Sequence, residues 1–443
     1  MRTIVWFRGK DLRLGDHPAL QEALKHEDVV PVFVLDPYFF GPDQAQQIPH
    51  RMQFLLQSLK ELEANIRARG SRLLVVEGRS TEVIPRLVWD LKACQVFAQR
   101  WTDPLGRRRD RKIASLLGEK FRLFEGELLA WPEAVRTKAG RPYSVFTPFA
   151  RTFRSQISVP APLPEPAQLP PLPPNLGVGE VAIPSLEELG IQPNPKLIAG
   201  GSRAAQRRLD EFLDKGLGDY FSDRDRMDRA GTSRLSADLK FGTISPRQVW
   251  FSVAETAASQ EAFTAFTNEL LWREFSHSSL WDRPELLSTN SQERFNDFPW
   301  QRSEVEWNAW VTGRTGYPVV DAAARQLLGE GFVHNRARMI SASFLCKHLL
   351  CDYREGEAHY LRYLVDGDWA QNNAGWQWSA GCGADAQPYF RVFNPISQGE
   401  RFDPSGVYVR RWLPELRELP NRYVHKPWEA PKAVLQAAGI VLG

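Results

Sequence analysis

The sequence predicts an α/β domain built on a parallel sheet, followed by an all-α domain. Three observations carry this. Short apolar, β-rich runs alternate with helical runs up to about residue 130, a proline-dense segment follows, and after about Gly200 helical spacing continues without further β-rich runs. The 443 residues also exceed what one ordinary core organises. The expected division is an α/β domain over 1–130, a connecting segment over 131–200 and a helical domain over 201–443.

In order, the first domain reads TIVWF, then DHPALQEALK; VVPVFVLD, then HRMQFLLQSLKELEANIRARG; RLLVVEG, then TEVIPRLVWDLKA; QVFAQR, then a basic helix from about Pro104; and FRLFEG. Strands that are continuous apolar runs, each followed by a helix, predict a five-stranded parallel sheet covered on both faces, with right-handed crossovers. No GxGxxG follows the first strand, so the dinucleotide fingerprint is missing. From Val159 to Asn175 a proline at nearly every second or third place excludes helix and central strand, and the segment reads as an extended surface connector. Beyond it, Ala204, Arg208 and Phe212, and Leu209, Leu213 and Leu217, follow helical spacing, broken by Gly242, Pro246, Pro284, Pro299 and Gly316. Most of the 15 Trp fall in this half. A helical core prefers aliphatic residues, whereas indoles bring an N–H, a polarizable face and accessible one-electron chemistry.

With 43% hydrophobic and 25% charged residues the composition excludes disorder and fibres. The net charge of +3 gives no warrant for nucleic-acid binding, which must rest on placed residues. The start, MRTIVWF, is too short an apolar run for a signal peptide, and no stretch reaches membrane-spanning length, so a cytoplasmic monomer is expected. Cys94, Cys346, Cys351 and Cys382 contain no CxxC pair and read as reduced thiols. Cys346, His348, Cys351 and His359 fall in an apolar helical pattern and read as structural, with no metal expected.

The densest chemistry lies in Asp366 to Pro395, DGDWAQNNAGWQWSAGCGADAQPYFRVFNP, where carboxylates, adjacent asparagines and three Trp crowd together. Elsewhere, Gly231 to Ser236 (GTSRLS) is a hydroxyl-rich turn ahead of a helix, suited to hold phosphate or simply to cap. NELLWREF places Glu269, Trp272 and Arg273 on one side of a helix, where a carboxylate beside an indole needs hydrogen-bond donors or an ion pair with Arg273. HNRARM stacks Asn335 with Arg338 and Met339 and turns two arginines different ways, one to pair with Asp366 and one to meet phosphate.

GTSRLS, NELLWREF, GRTGYPVVDAAARQL, HNRARM, DGDWAQNNAGWQW and DAQPYFRVFNP, with FRGKDLRLGD near the start, together resemble the photolyase/cryptochrome flavoprotein family, and within it the bacterial cyclobutane pyrimidine dimer (CPD) DNA photolyases. The resemblance runs end to end. It implies a Rossmann-like α/β domain and a helical domain that holds a folded FAD. By similarity Tyr220, Thr232, Ser233, Leu235, Ser236 and Arg273 would bind FAD, Asn335, Arg338, Asp366 and Asp368 would line its isoalloxazine and adenosine, and Asn372 would sit at the flavin N5 edge. The implied reaction is light-driven: excited reduced FAD donates one electron to a dimer flipped out of UV-damaged DNA, the cyclobutane ring splits and the electron returns. Trp272 and Trp378 would clamp the dimer, Glu269 would hydrogen-bond it, and Met339 would pack against it. Arg224, Arg336 and Arg391 would grip the DNA phosphates.

A (6-4) photolyase would carry a histidine pair where this chain has Asn335 and Met339. A cryptochrome-type blue-light receptor is the alternative from another class, and a purely aromatic binding protein leaves the polar flavin set unexplained. Two departures stand out. The tryptophan path that usually reduces the flavin would run Trp376, Tyr353, Trp300, with tyrosine in the middle, or detour through a residue such as Trp307. Where folate-using relatives present an Asn-Glu pair, this chain has Leu105 and Gly106; the antenna is therefore expected to be a deazaflavin or a second flavin, or absent, with Arg51 and Asp103 as candidate lining residues.

Overall fold

The structure, a computed structural model, describes residues 2–384 and 391–441, so the DAQPYF part of the last motif lies outside the described residues. Packing divides the chain into two compact units, Met1–Lys215 with Ser233–Pro284, and Gly216–Thr232 with Glu285–Gly443.

The first unit is organised by five parallel strands, β1 (Arg2–Phe7), β2 (Asp28–Leu35), β3 (Leu74–Glu77), β4 (Gln95–Gln99) and β5 (Phe121–Phe124). Their order is β3-β2-β1-β4-β5, so the chain reverses direction across the sheet between β1 and β4. Registers such as Trp6 opposite Val32 and Ile4 opposite Val96 align uninterrupted apolar runs, and β1 and β2 are buried along nearly their whole length. One face is closed by the Ser80–Asp90 helix, which lays Val83, Ile84, Leu87 and Val88 against Ile4, Val32, Val76 and Val96.

The proline-dense connector is fastened to this unit. Arg69 Nε donates to the Pro166 carbonyl (2.9 Å), Arg72 Nε to that of Pro173 (2.8 Å), and Leu169 N–H to that of Arg69 (2.8 Å). Further on, Val76 and Glu180 form an antiparallel bridge that covers edge strand β3, a position where unpaired backbone groups would otherwise face out. Helices from beyond residue 200 also pack here: Leu12 N–H bonds the Phe241 carbonyl (3.2 Å), Arg13 Nη1 that of Gly242 (3.0 Å), and Phe54 stacks on Phe241. A Cβ at Gly242, φ +63°, would collide with the Lys10 carbonyl, so only glycine permits this close approach.

Among its described residues the second unit holds helices and no strand, with Glu304–Thr312, Pro318–Glu330, Asn335–Lys347, Tyr353–Tyr363, Trp369–Ala380 and Pro395–Phe402 as its main helices. Each start carries the local chemistry that stops a helix from fraying: Ser303, His334, Asp352, Asp368 and Asn394 accept from the first-turn N–H groups, and Pro318 and Pro395 stand at first positions. Its core combines aliphatics such as Val320, Leu327, Ile340 and Leu345 with Trp310, Tyr353, Tyr360 and Trp376. Among the described residues, no helix is long and apolar enough to cross a membrane, and the four cysteines are unpaired.

Candidate functional site

In the first unit, the Gln260–Asp282 helix separates three residues that the sequence places on one side. Glu269 and Trp272 are partly exposed, whereas Arg273 is buried, its Nη1 donating to the Glu127 carbonyl (2.8 Å) and lying 3.6 Å from Glu274. One residue turns a helix by about 100°, enough to carry Arg273 from the Trp272 face into the interior. Glu274 accepts the Leu129 and Ala130 N–H groups, yet burial outweighs them and pushes its carboxyl up to about 7. Trp272 lies flat on Phe146, ring centroids 3.7 Å apart and planes 7° from parallel.

At GTSRLS the capping alternative is overturned. Leu235, not a hydroxyl residue, is the cap of the Ser236–Phe241 helix, with no side-chain hydrogen bond to the first turn. Its burial (1% exposed) anchors the turn, Arg234 adopts φ +53°, and Leu235 N–H reaches Ser233 Oγ at 3.4 Å. Of the antenna candidates, Arg51 lies partly exposed on the Pro49–Ala68 helix. Asp103 caps the Pro104–Leu117 helix through Gly106 N–H (2.8 Å) and meets Lys10 Nζ at 3.4 Å, so its carboxylate already has structural work. Beside it the Trp101 indole fills space between the cations of Arg8, Lys10 and Arg109.

In the second unit, Arg338 Nη2 bonds Asp366 Oδ2 at 2.8 Å, as the sequence suggests, and Arg338 Nε holds the Val333 carbonyl at 2.7 Å. Asp366 is buried, and its Oδ1 has no hydrogen-bond partner among the described residues. Such an orphaned acceptor is costly unless a donor arrives. Asp368 caps the Trp369–Ala380 helix through Ala370 and Gln371 N–H groups. One turn on, Asn372 Nδ2 donates to the Glu357 carbonyl (3.1 Å), while Asn373 Nδ2 contacts both Glu357 carboxylate oxygens at 3.2 Å. Burial of Glu357 nevertheless raises its carboxyl to about 7. Tyr220 is buried, Thr232 and Arg224 are partly exposed, and Asn335 is exposed with Nδ2 3.8 Å from Met339 Sδ.

A cavity of about 410 Å³ in this unit brings together Met339, Trp378, Arg336, Arg391 and Arg401. Arg336 is pinned by Asp225 (2.8 Å) and by the Phe402 ring, while Trp378 is partly exposed near Phe393. Arg401 is missing from the residues singled out in the sequence. A signal for it exists: Asn394-Pro395 announces a helix start, and Asn394, Ser397, Gln398 and Arg401 recur at helical spacing on one face.

The aromatic rings named for electron transfer fall into two series of contacts. Trp376 (4% exposed) contacts Trp310 at 6.1 Å, and Trp310 contacts Trp307 at 5.5 Å, with Tyr360 touching both Trp376 (5.1 Å) and Trp310 (5.9 Å). Tyr353 meets Trp300 at 6.3 Å. The Trp376 ring lies on Gly356, one turn from Tyr353, where a Cβ would collide with it. Burial pushes the Tyr353 phenol far up, so it stays protonated. Cys382 is buried with Sγ 3.7 Å from the Gln377 carbonyl, a packing position, and Trp369 is 38% exposed at the helix start.

Two family descriptions match the chain: DNA photolyase over residues 3–167, and FAD binding domain of DNA photolyase over 266–443. A deoxyribodipyrimidine photo-lyase of Agrobacterium fabrum is 40% identical over 453 residues, spanning 100% of this chain and 93% of the relative. A Synechocystis cryptochrome has a similar structure, with TM-score 0.91 and 32% identity over 100% of this chain and 95% of that one. An archaeal photolyase from Sulfolobus tokodaii, solved with two FAD molecules, superimposes with TM-score 0.83 at 30% identity over 99% of each chain.

Proposed function

Because this chain belongs to the DNA photolyase family, we propose that it binds FAD and uses light to repair cyclobutane pyrimidine dimers in UV-damaged DNA. The observation that carries the reading is the cavity of the second unit, where an indole, a thioether and three guanidinium groups converge. A flipped base wants a stacking face and an apolar wall, and the strand that delivers it wants cations at its phosphates. Flipping costs a few kcal/mol, and stacking on an aromatic returns roughly 1–3 kcal/mol per base, so a stacking indole such as Trp378 makes extrusion feasible, and Trp272 is assigned a stacking role on its own account. Arg336, Arg391 and Arg401, with Arg224, supply the phosphate contacts.

The buried Asp366 Oδ1 fits the cofactor, since it is an acceptor prepared for an N–H or O–H donor beside the charge balance that Arg338 provides. Asn372, Asp368, Asn335, Tyr220 and Arg273, with Thr232, Ser233, Leu235 and Ser236, are the remaining residues assigned to FAD. When bound in reduced form, FAD would supply, on absorbing light, the electron that opens the cyclobutane ring. Glu269 hydrogen-bonds the lesion and stabilises its added charge. Asn372, tethered to the Glu357 carbonyl, presents a neutral amide whose orientation is fixed. Any accessory pigment is a deazaflavin or second flavin rather than a folate, given Leu105 and Gly106.

A (6-4) activity needs a histidine acid. Asn335 and Met339 cannot donate that proton, and the neighbouring His334 spends Nδ1 on the Arg336 N–H and is pushed by burial down to about 4, leaving it neutral. Two substitutions test the assignment. Glu269→Ala lowers repair yield more than DNA affinity. Arg401→Ala weakens binding and reduces the salt slope of log K by about one, with repair of bound dimers retained. Repair by the Glu269 variant at the parent yield, or an unchanged salt slope in the Arg401 variant, contradicts those roles.

A further inference from the structure

Resting on the reading that Trp272 stacks on the damaged base, we infer that Phe146 is a positioning residue for lesion recognition, backing the indole so that its other face is presented in one orientation. The Phe146–Gln156 helix delivers a buried ring flat against Trp272, with centroids 3.7 Å apart and planes 7° from parallel. Two rings placed face to face in isolation prefer to slip or tilt, because their negative faces meet. Here Phe275 stands edge-on to both, 5.9 Å from Trp272 at 77° and 6.1 Å from Phe146 at 74°, and these edge-to-face contacts hold the pair in register. Trp272 itself is partly exposed, so one side of the indole is fixed by two helices while part of its surface remains open. A platform held in its binding orientation loses less freedom when a base stacks on it, and that saving appears as affinity for the extruded lesion.

The neighbouring Phe149 separates this role from ordinary packing. It lies on the same helix, is buried, and contacts Phe275 at 5.3 Å, but its ring contacts are with Phe275, Phe153 and Tyr143. The experiment uses the full-length, flavin-loaded protein in the dark, with an oligonucleotide carrying one thymine dimer and its undamaged counterpart. Phe146→Leu raises the Kd for the damaged strand about fivefold, leaves that for the undamaged strand unchanged, and leaves the repair rate at saturating DNA unchanged. Phe149→Leu lowers thermal stability comparably and leaves both Kd values at the parent level. The inference is overturned if Phe146→Leu binds damaged DNA like the parent, if it weakens both DNAs equally, or if Phe149→Leu weakens damaged-strand binding as much. Trp272→Ala probes the underlying stacking role on its own: parent-like binding of the dimer by that variant removes that role from Trp272, whatever Phe146 does.

Discussion

Arg338 neutralises Asp366 through one oxygen while the other stays buried with no partner among the described residues, an arrangement with a built-in liability. Removing the cation leaves a buried carboxylate without compensation, a change that costs about 3 kcal/mol or more in comparable pairs. Arg338→Met is therefore expected to purify with much less flavin and a lower melting temperature; full flavin content contradicts the pairing as a cofactor device. Glu357 gives a pH-dependent counterpart. Its carboxyl, at about 7 in the folded chain against an ordinary value of 4.5, binds more protons folded than unfolded between those values. Stability from this residue is thus highest below about 4.5, declines as pH rises to about 7, and is level above. Glu357→Gln should flatten that decline and gain on the order of 2–3 kcal/mol relative to the parent at pH 8, read from denaturant melts. An unchanged pH profile would mean that the carboxyl titrates normally. The Arg338–Asp366 pair and the Asp368 cap were within reach of motif and capping rules. The inward turn of Arg273 was not, because its partners are backbone carbonyls from distant parts of the chain.

The helices of the second unit bring a run of aromatic rings into contact. Trp310 on Glu304–Thr312 and Tyr360 on Tyr353–Tyr363 both touch Trp376, so the indoles of Trp376, Trp310 and Trp307 form a continuous outward series. Trp310 Nε1 also donates to the Ser341 carbonyl at 3.3 Å, fixing that ring. Trp307→Phe should slow flavin photoreduction more than Tyr353→Phe, followed by the Trp-radical absorption after a flash, with repair by pre-reduced protein intact in both. The opposite ranking would restore the route through Tyr353 and Trp300. The family resemblance named Trp376, Tyr353, Trp300 and even Trp307, but not Trp310 beside Trp376 and Trp307, because a matched motif does not show which rings meet. The strands were more legible: each of the five runs contains one strand, most fully for β1 and β2, since a strand buried on both faces leaves an uninterrupted hydrophobic signature.

Across the chain, the alternation of β-rich and helical runs predicted the parallel sheet, and the loss of β-rich runs predicted the helical remainder. Where packing would group the helices beyond residue 200 was not written there. Residues 202–215 and 236–282 join the first unit because Phe241, Gly242 and Arg273 find partners in it, contacts that no local pattern announces. The similarity to both a photolyase and a cryptochrome at comparable coverage makes catalysis the decisive question. Illumination of the purified, reduced protein with a dimer-containing oligothymidine, followed by absorption, answers it. Flavin bands together with light-dependent recovery of thymine absorbance are the predicted result. A flavin that responds to light without restoring thymine absorbance would contradict repair and leave a light-sensing role in its place.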